Sequence, residues 1–240
     1  VLGAPDFVLG PDAPKAERNI LGIVGKVGKE IGARVMKLLK DNHEIAAIIG
    51  GRYIHSVSAI VGGVSKPITE EDREEIIERA QRSIETAKFS LQLFDDVVLG
   101  NDAYADLILS DSFSHQTYYM GLVDENNKVN FYDGKVRVVD PEGQELLKYG
   151  PDEYLDVVAE HIEPWTYLKF PYLKDIGWKG LVDGPDSGVY RATPLSRLNA
   201  SDGMATPLAQ AEYERFYDTL GGKPVHATLA THWARLIELL

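Results

Sequence analysis

The chain has 240 residues, 26% of them charged and 44% hydrophobic, the balance of an ordinary globular protein long enough to bury a substantial core. Its net charge of −12 excludes a nucleic-acid surface, which needs clustered Lys and Arg, and no apolar run approaches the ~18 residues of a membrane span. There is no cysteine, so the chain has no disulfide, no thiolate nucleophile and no cysteine-bound zinc or iron–sulfur cluster.

Residues 1–14 are rich in Gly, Pro and Asp and read as irregular. Nothing in the first ten residues resembles a signal peptide, so the expected compartment is the cytoplasm. From about Ile20 a helical pattern builds. Ile31, Val35, Leu38, Asn42, Ile45 and Ile49 recur at threes and fours until Gly50-Gly51 ends the run. Asn42 on that face needs a polar partner wherever the face is covered. The clearest helix follows. Thr69 is a good N-cap, and Glu70, Glu71 and Asp72 fill the first turn, where the helix dipole favours negative charge. Ile77, Ala80, Ile84, Ala87, Leu91, Phe94 and Val98 then form a stripe that predicts a core helix, with Ile84 at its middle and Gly100-Asn101 as its stop.

Residues 118–123, 129–132 and 135–140 read as short strands, and Asp133-Gly134 as the hairpin turn between the last two. Asp140-Pro141-Glu142-Gly143 makes the next turn. Residues 152–161 read as a helix, followed by an aromatic cluster from Trp165 to Tyr172 and a Gly- and Asp-rich stretch over 177–188. Two closing helices are expected, over 207–220 and from His226 onward. The fold class is therefore α+β: one helix-rich domain over 1–240 with a small antiparallel β insertion near 118–140. The absence of an initiator Met, and the stop at Leu240 inside a helical pattern with no capping Gly or Asn, read as a piece of a longer chain.

The common catalytic motifs fail one after another. Gly22, Gly25 and Gly28 lie inside a helical pattern and make no dinucleotide fingerprint; Gly62-Gly63-Val64-Ser65-Lys66 lacks the phosphate-loop spacing. Of the six histidines, His43, His55, His115, His161, His226 and His232, no pair has the i, i+4 spacing of a helical metal site. For His43 and His161 the expected role is an ordinary hydrogen-bonded or surface one. No Ser sits in a nucleophile elbow and no carboxylate pair stands out.

Several phrases, however, share one family's pattern. The run from Ile54 through His55, Gly62, Gly63 and Val64 to Lys66 resembles the His…Pro-Gly-Gly-Val segment of nickel–iron (NiFe) hydrogenase large subunits, and Ala16-Glu17-Arg18-Asn19-Ile20-Leu21-Gly22 is similar to the segment before it. Downstream, Tyr167-Leu168-Lys169-Phe170-Pro171-Tyr172, Gly188-Val189-Tyr190-Arg191 and Pro194-Leu195-Ser196-Arg197-Leu198-Asn199 fall in the family's order. The runs Asp202 to Gln210 and Thr231 to Ile237 look most like the F420-non-reducing, methyl-viologen-reducing branch, and next the NAD-coupled bidirectional branch. One departure is plain: Val61 stands where the family has Pro before the paired glycines, which loses loop stiffness.

The resemblance implies the scaffold portion of an enzyme that splits or forms H₂ at a nickel–iron centre. In the family that centre is held by two Cys-x-x-Cys pairs near the ends of the full subunit, and no arrangement of His and Asp replaces such soft donors. No catalytic and no metal residue is therefore carried over, no cofactor is assigned to this chain, and the chain alone is expected to be inactive. The implied partner is the iron–sulfur small subunit, with His55, Gly62, Gly63 and Lys66 at the interface; self-association into a homo-oligomer is also expected, and neither nucleic acid nor membrane. The alternative reading is a non-enzymatic interaction or scaffold protein derived from the same fold.

Overall fold

The computed structural model describes residues 5, 9, 10 and 12–240. The irregular stretch expected over 1–14 lies largely outside them. The chain, read from its sequence as one domain, divides into two compact units, Val1–Phe89 and Ser90–Leu240.

In the first unit, α1 (Ile20–Val27) is capped by Asn19, whose side-chain oxygen accepts from the amides of Leu21 and Gly22. Helix α2 (Lys29–Gly50) ends where the sequence predicts. Gly51 takes the left-handed conformation (φ 74°), and its N–H closes on the Ala47 carbonyl. Its apolar stripe is only half covered: Ile31, Leu38 and Ile45 are partly buried, while Val35 and Ile49 are exposed. Asn42 is exposed and needs no partner; the buried polar residue on this helix is its neighbour Asp41. A small hairpin follows, β1 (Ala59–Ile60) with β2 (Gly63–Val64). Helix α3 (Glu70–Phe94) then starts on a reciprocal cap: Thr69 Oγ1 accepts from the Asp72 amide, and Asp72 Oδ2 from the Thr69 amide, both at 3.1 Å. Ile77 and Ala80 are exposed, Ile84 is half-buried, and full burial of the stripe begins only at Ala87 and Leu91. The helix then widens into a π turn, Asp95–Leu99, before Gly100.

The second unit opens with α4 (Asp102–Leu109), capped by Asn101. Its main sheet has the order β5-β4-β3-β8, from β3 (Tyr118–Val123), β4 (Lys135–Val139), β5 (Glu145–Tyr149) and the two-residue β8 (Tyr190–Arg191). The first three strands are antiparallel, and β8 joins β3 in parallel. The expected strand over 129–132 does not form. Val129 makes a single bridge to Val123, and the Asn130 side chain accepts from the amides of Tyr132 and Asp133, turning the chain locally. The hairpin is β3 with β4 (Tyr119 opposite Val139, Val123 opposite Lys135), joined by residues 124–134, and Asp133-Gly134 is not its turn. The turn after β4 is as predicted, with Asp140 Oδ1 accepting from the amides of Glu142 and Gln144.

The helix expected over 152–161 shrinks to α5 (Tyr154–Val157) and gives way to β6 (Val158–Ile162), which pairs with β7 (Lys169–Leu173) inside the aromatic run. Cross-strand pairing of Ala159 with Tyr172 and His161 with Phe170 supplies the contacts a lone helix would lack. Three further helices complete the unit: α6 (Pro194–Ala200), α7 (Pro207–Thr219) and α8 (Thr231–Ile237). Both faces of β3 are covered. Tyr118 and Met120 pack with Val138, Tyr149 and Leu173, while Tyr119 packs with Val139 and Ala200. On that second side α6 lies so near that a Cβ on Gly121 would sit 3.0 Å from the Arg197 Cα, which explains a glycine in mid-strand. The main core joins Leu91, Ile108, Leu195, Leu198, Phe216, Trp233 and Ile237, with Phe216 and Trp233 edge to face at 5.2 Å. The fold is α+β and helix-rich with small antiparallel sheets, as the sequence predicts. No helix among the described residues is long and apolar enough to cross a membrane.

Candidate subunit interface

All four residues singled out from the sequence, His55, Gly62, Gly63 and Lys66, lie on one exposed segment, residues 51–69, between α2 and α3. The chain folds back on the end of α2, where the Gly50 carbonyl accepts from the Val57 amide at 2.9 Å and from Ser56 Oγ at 3.0 Å. His55 sits in the left-handed region (φ 53°), a conformation uncommon outside glycine. The β1–β2 hairpin pairs Ala59 with Val64 and Ile60 with Gly63, and the Ser65 amide donates to the Ser58 carbonyl. Val61 and Gly62 form its tip. Gly62 (φ 89°) and Gly63 (φ 156°) take backbone angles that a side chain would resist, so the paired glycines are what let the strands reverse in two residues. Lys66 is held against α3 by Asp72 at 3.0 Å, so its charge is matched locally. The Thr69 amide first, and then Lys66, hold the Asp72 carboxyl below the usual carboxylate range.

What sequence motifs alone missed is the apolar character of this segment. Ile54, Val57, Ile60, Val61, Val64 and Ile68 are all more than half exposed, and Val61 is fully exposed. No Asp or Glu occurs between residues 51 and 69, in a chain with 37 of them. A run of exposed apolar residues in a window that itself holds no acid is unlike the scattered apolar residues of a monomer's surface and resembles a segment made to be covered. The signal was present in the composition of this window.

In the second unit Arg191 organises a polar cluster. Its Nε donates to Thr117 Oγ1 and its Nη1 to Thr228 Oγ1, both at 3.1 Å; its Nη2 donates to Tyr119 Oη at 3.0 Å and to the carbonyls of His115 and His226. Tyr119 Oη also meets His226 Nδ1, and His115 Nδ1 meets Asp183. Burial, then the nearby Arg191 charge, push His226 below its ordinary value. His43 stacks on Tyr53 at 4.5 Å, and His161 stacks on Trp178 at 4.7 Å and pairs with Glu163, the ordinary roles expected of them.

These donors do not fit a thiolate-bound nickel–iron centre. The chain has no cysteine, and among the described residues no three His, Asp or Glu side chains converge as metal ligands. No step of H₂ chemistry can be derived through the residues of this chain.

No protein-family model matches the chain. Curated relatives match it end to end. It is 42% identical over 239 residues to an iron-sulfur subunit of the F420-non-reducing hydrogenase of Archaeoglobus profundus, covering 100% of this chain and 49% of the relative. It is 40% identical to a vhu subunit of the F420-non-reducing hydrogenase of Methanocaldococcus jannaschii (100% and 54%), and 34% identical to the NAD-reducing hydrogenase HoxS subunit beta of Cupriavidus necator (98% and 47%). Among solved structures, an NAD⁺-reducing NiFe-hydrogenase in its H₂-reduced state superposes with a TM-score of 0.85 at 31% identity, over 98% of this chain and 50% of that one. The chain thus spans about half the length of the relatives it matches. Along its whole length, the chain is homologous to nickel–iron hydrogenase large subunits, of which it spans about half the length.

Proposed function

We propose that this chain is the scaffold portion of a cytoplasmic NiFe-hydrogenase large subunit, and that residues 51–69 dock the iron–sulfur small subunit. The observation that carries the docking is the run of exposed apolar residues Ile54, Val57, Ile60, Val61, Val64 and Ile68, in a window that itself holds no acid and that also carries His55, Gly62, Gly63 and Lys66. The greater identity to the F420-non-reducing enzymes (42% against 34% for the NAD-reducing one) favours that branch for the parent. In the complete enzyme a nickel–iron centre would supply the splitting of H₂, on thiolates that this chain does not carry. By itself the chain is therefore inactive, and its contribution is to hold the interface.

The test is association of the chain with the iron–sulfur small subunit of an F420-non-reducing hydrogenase, followed by gel filtration. Val61→Asp places a charge at the centre of the apolar surface and should abolish the complex. Equal complex formation by wild type and Val61→Asp would overturn the assignment.

A further inference from the structure

The two helices that carry the docking segment are joined by a charge cluster built round one buried aspartate. Asp41, on α2, is 5% exposed. Its Oδ1 accepts from Arg79 Nη1 at 2.9 Å and Arg82 Nη2 at 3.0 Å, and its Oδ2 from Arg82 Nε at 3.0 Å, so Arg82 grips it as a two-pronged fork. The arginines are themselves steadied on their outer sides, Arg79 by Glu75 and Glu44 and Arg82 by Glu78.

Two features separate this cluster from an ordinary surface pair. Among the described residues of the first unit, only Asp41, Gly50, Thr86 and Ala87 are buried, so apart from Ala87 the apolar residues of α2 and α3 there are at most partly buried. Arg34 supplies a further tie, donating to the Glu85 carbonyl at 2.8 Å. Beside the loop Ile45, Ile48 and Ile76 are partly buried, while Ile49, Ile77 and Ala80 are exposed. The cluster also lies level with the loop on both sides. Asp41 is nine positions before Gly50, the last residue of α2, and Arg79 is nine positions after Glu70, the first of α3. At about 1.5 Å rise per residue, both helix ends stand roughly 13 Å from it. The ties of the loop run to those two ends: the Gly50 carbonyl on one side, Asp72 and Thr69 on the other. A shift of one helix along the other is therefore passed to the hairpin.

Resting on the docking role of residues 51–69, we propose that Asp41, Arg79 and Arg82 form a positioning clamp that sets the register of α2 and α3 and so holds the docking segment in its binding geometry. Buried ion pairs add little net stability compared with apolar packing, but they penalise wrong registers, because each slip strands a buried charge.

The experiment measures binding of the 240-residue chain to the same small subunit, together with amide deuterium exchange over 51–69. Asp41→Asn removes the charge and keeps the shape. It should weaken binding roughly tenfold or more and speed exchange in 51–69, while helical circular dichroism stays at the wild-type level. Arg82→Lys keeps the charge but loses the fork, and should fall between wild type and Asp41→Asn. Should Asp41→Asn lose its helical signal, Arg82→Lys decides: weakened binding at full helix content supports the clamp, and unchanged binding overturns it. Wild-type binding by Asp41→Asn, alongside failure of Val61→Asp, overturns the clamp but leaves the docking surface standing. Unchanged binding by both variants overturns the docking surface and the clamp with it.

Discussion

At His226 the second unit disfavours the charged form of a titratable ring. Burial and the nearby Arg191 lower its pKa, and Asp183 and Glu142 offset only part of that effect. Its folded value lies below the ordinary 6.5, so below that pH the unfolded chain binds a proton that the folded one resists. Stability from this group is therefore complete above about pH 6.5 and is lost as the pH falls from there toward the folded value. Thermal midpoints measured by tryptophan fluorescence should drop between pH 7 and pH 5, and His226→Gln, which keeps a polar partner for Tyr119, should flatten that drop. An identical slope in the variant would show that folding does not lower the His226 pKa. The residues of this cluster were visible in the sequence as isolated letters. Arg191, Tyr119 and His226 are 35 to 107 positions apart, and no spacing rule joins them before the sheet and the loop ahead of α8 bring them together.

Helix α3 shows how an apolar stripe and its burial diverge. Ile77 to Val98 is periodic throughout, yet Ile77 is exposed, Ile84 half-buried and Leu91 8% exposed. The sensitive position on this helix is therefore Leu91, and not Ile84 at the middle of the stripe. Leu91→Ala should cost about 2–5 kcal/mol, as for a filled core site, and Ile84→Ala less. Leu93, two residues on and 42% exposed, is the internal control: Leu93→Ala should shift the urea midpoint little. Equal midpoints for Leu91→Ala and Leu93→Ala would refute this account of the stripe. Helix ends were the most legible elements, because caps act locally: Thr69 with Asp72, and Gly51 in its left-handed turn. The β6–β7 pair was not legible. Its pairing is supplied by residues about eleven positions away, and Val157-Val158 follow whichever partner is offered. Asp133-Gly134 failed for a similar reason, since the Asn130 side chain turned the chain first.

For the whole molecule, zero cysteines was the most informative sequence feature, because it separates the family's chemistry from this chain's own residues. Anaerobic reconstitution should leave far less than one nickel per chain, and near-equimolar nickel on metal analysis would contradict the donor argument. The proposed docking segment was half legible. Its glycines, His55 and Lys66 were marked by motif, while the apolar face emerged only from exposure. Without a partner, that face should drive self-association despite the charge of −12, since repulsion is screened at ordinary ionic strength and burial is not. Light scattering should give a mass above the 26.6 kDa monomer that persists as salt rises; a monomer at every salt concentration would count against it. The most direct test of the account is amide deuterium exchange of the chain with and without the iron–sulfur small subunit. It predicts that protection appears on residues 51–69, centred on the Val61-Gly62 tip, and that the β6–β7 pair stays unchanged. Unaltered exchange over 51–69, with protection elsewhere, would contradict it.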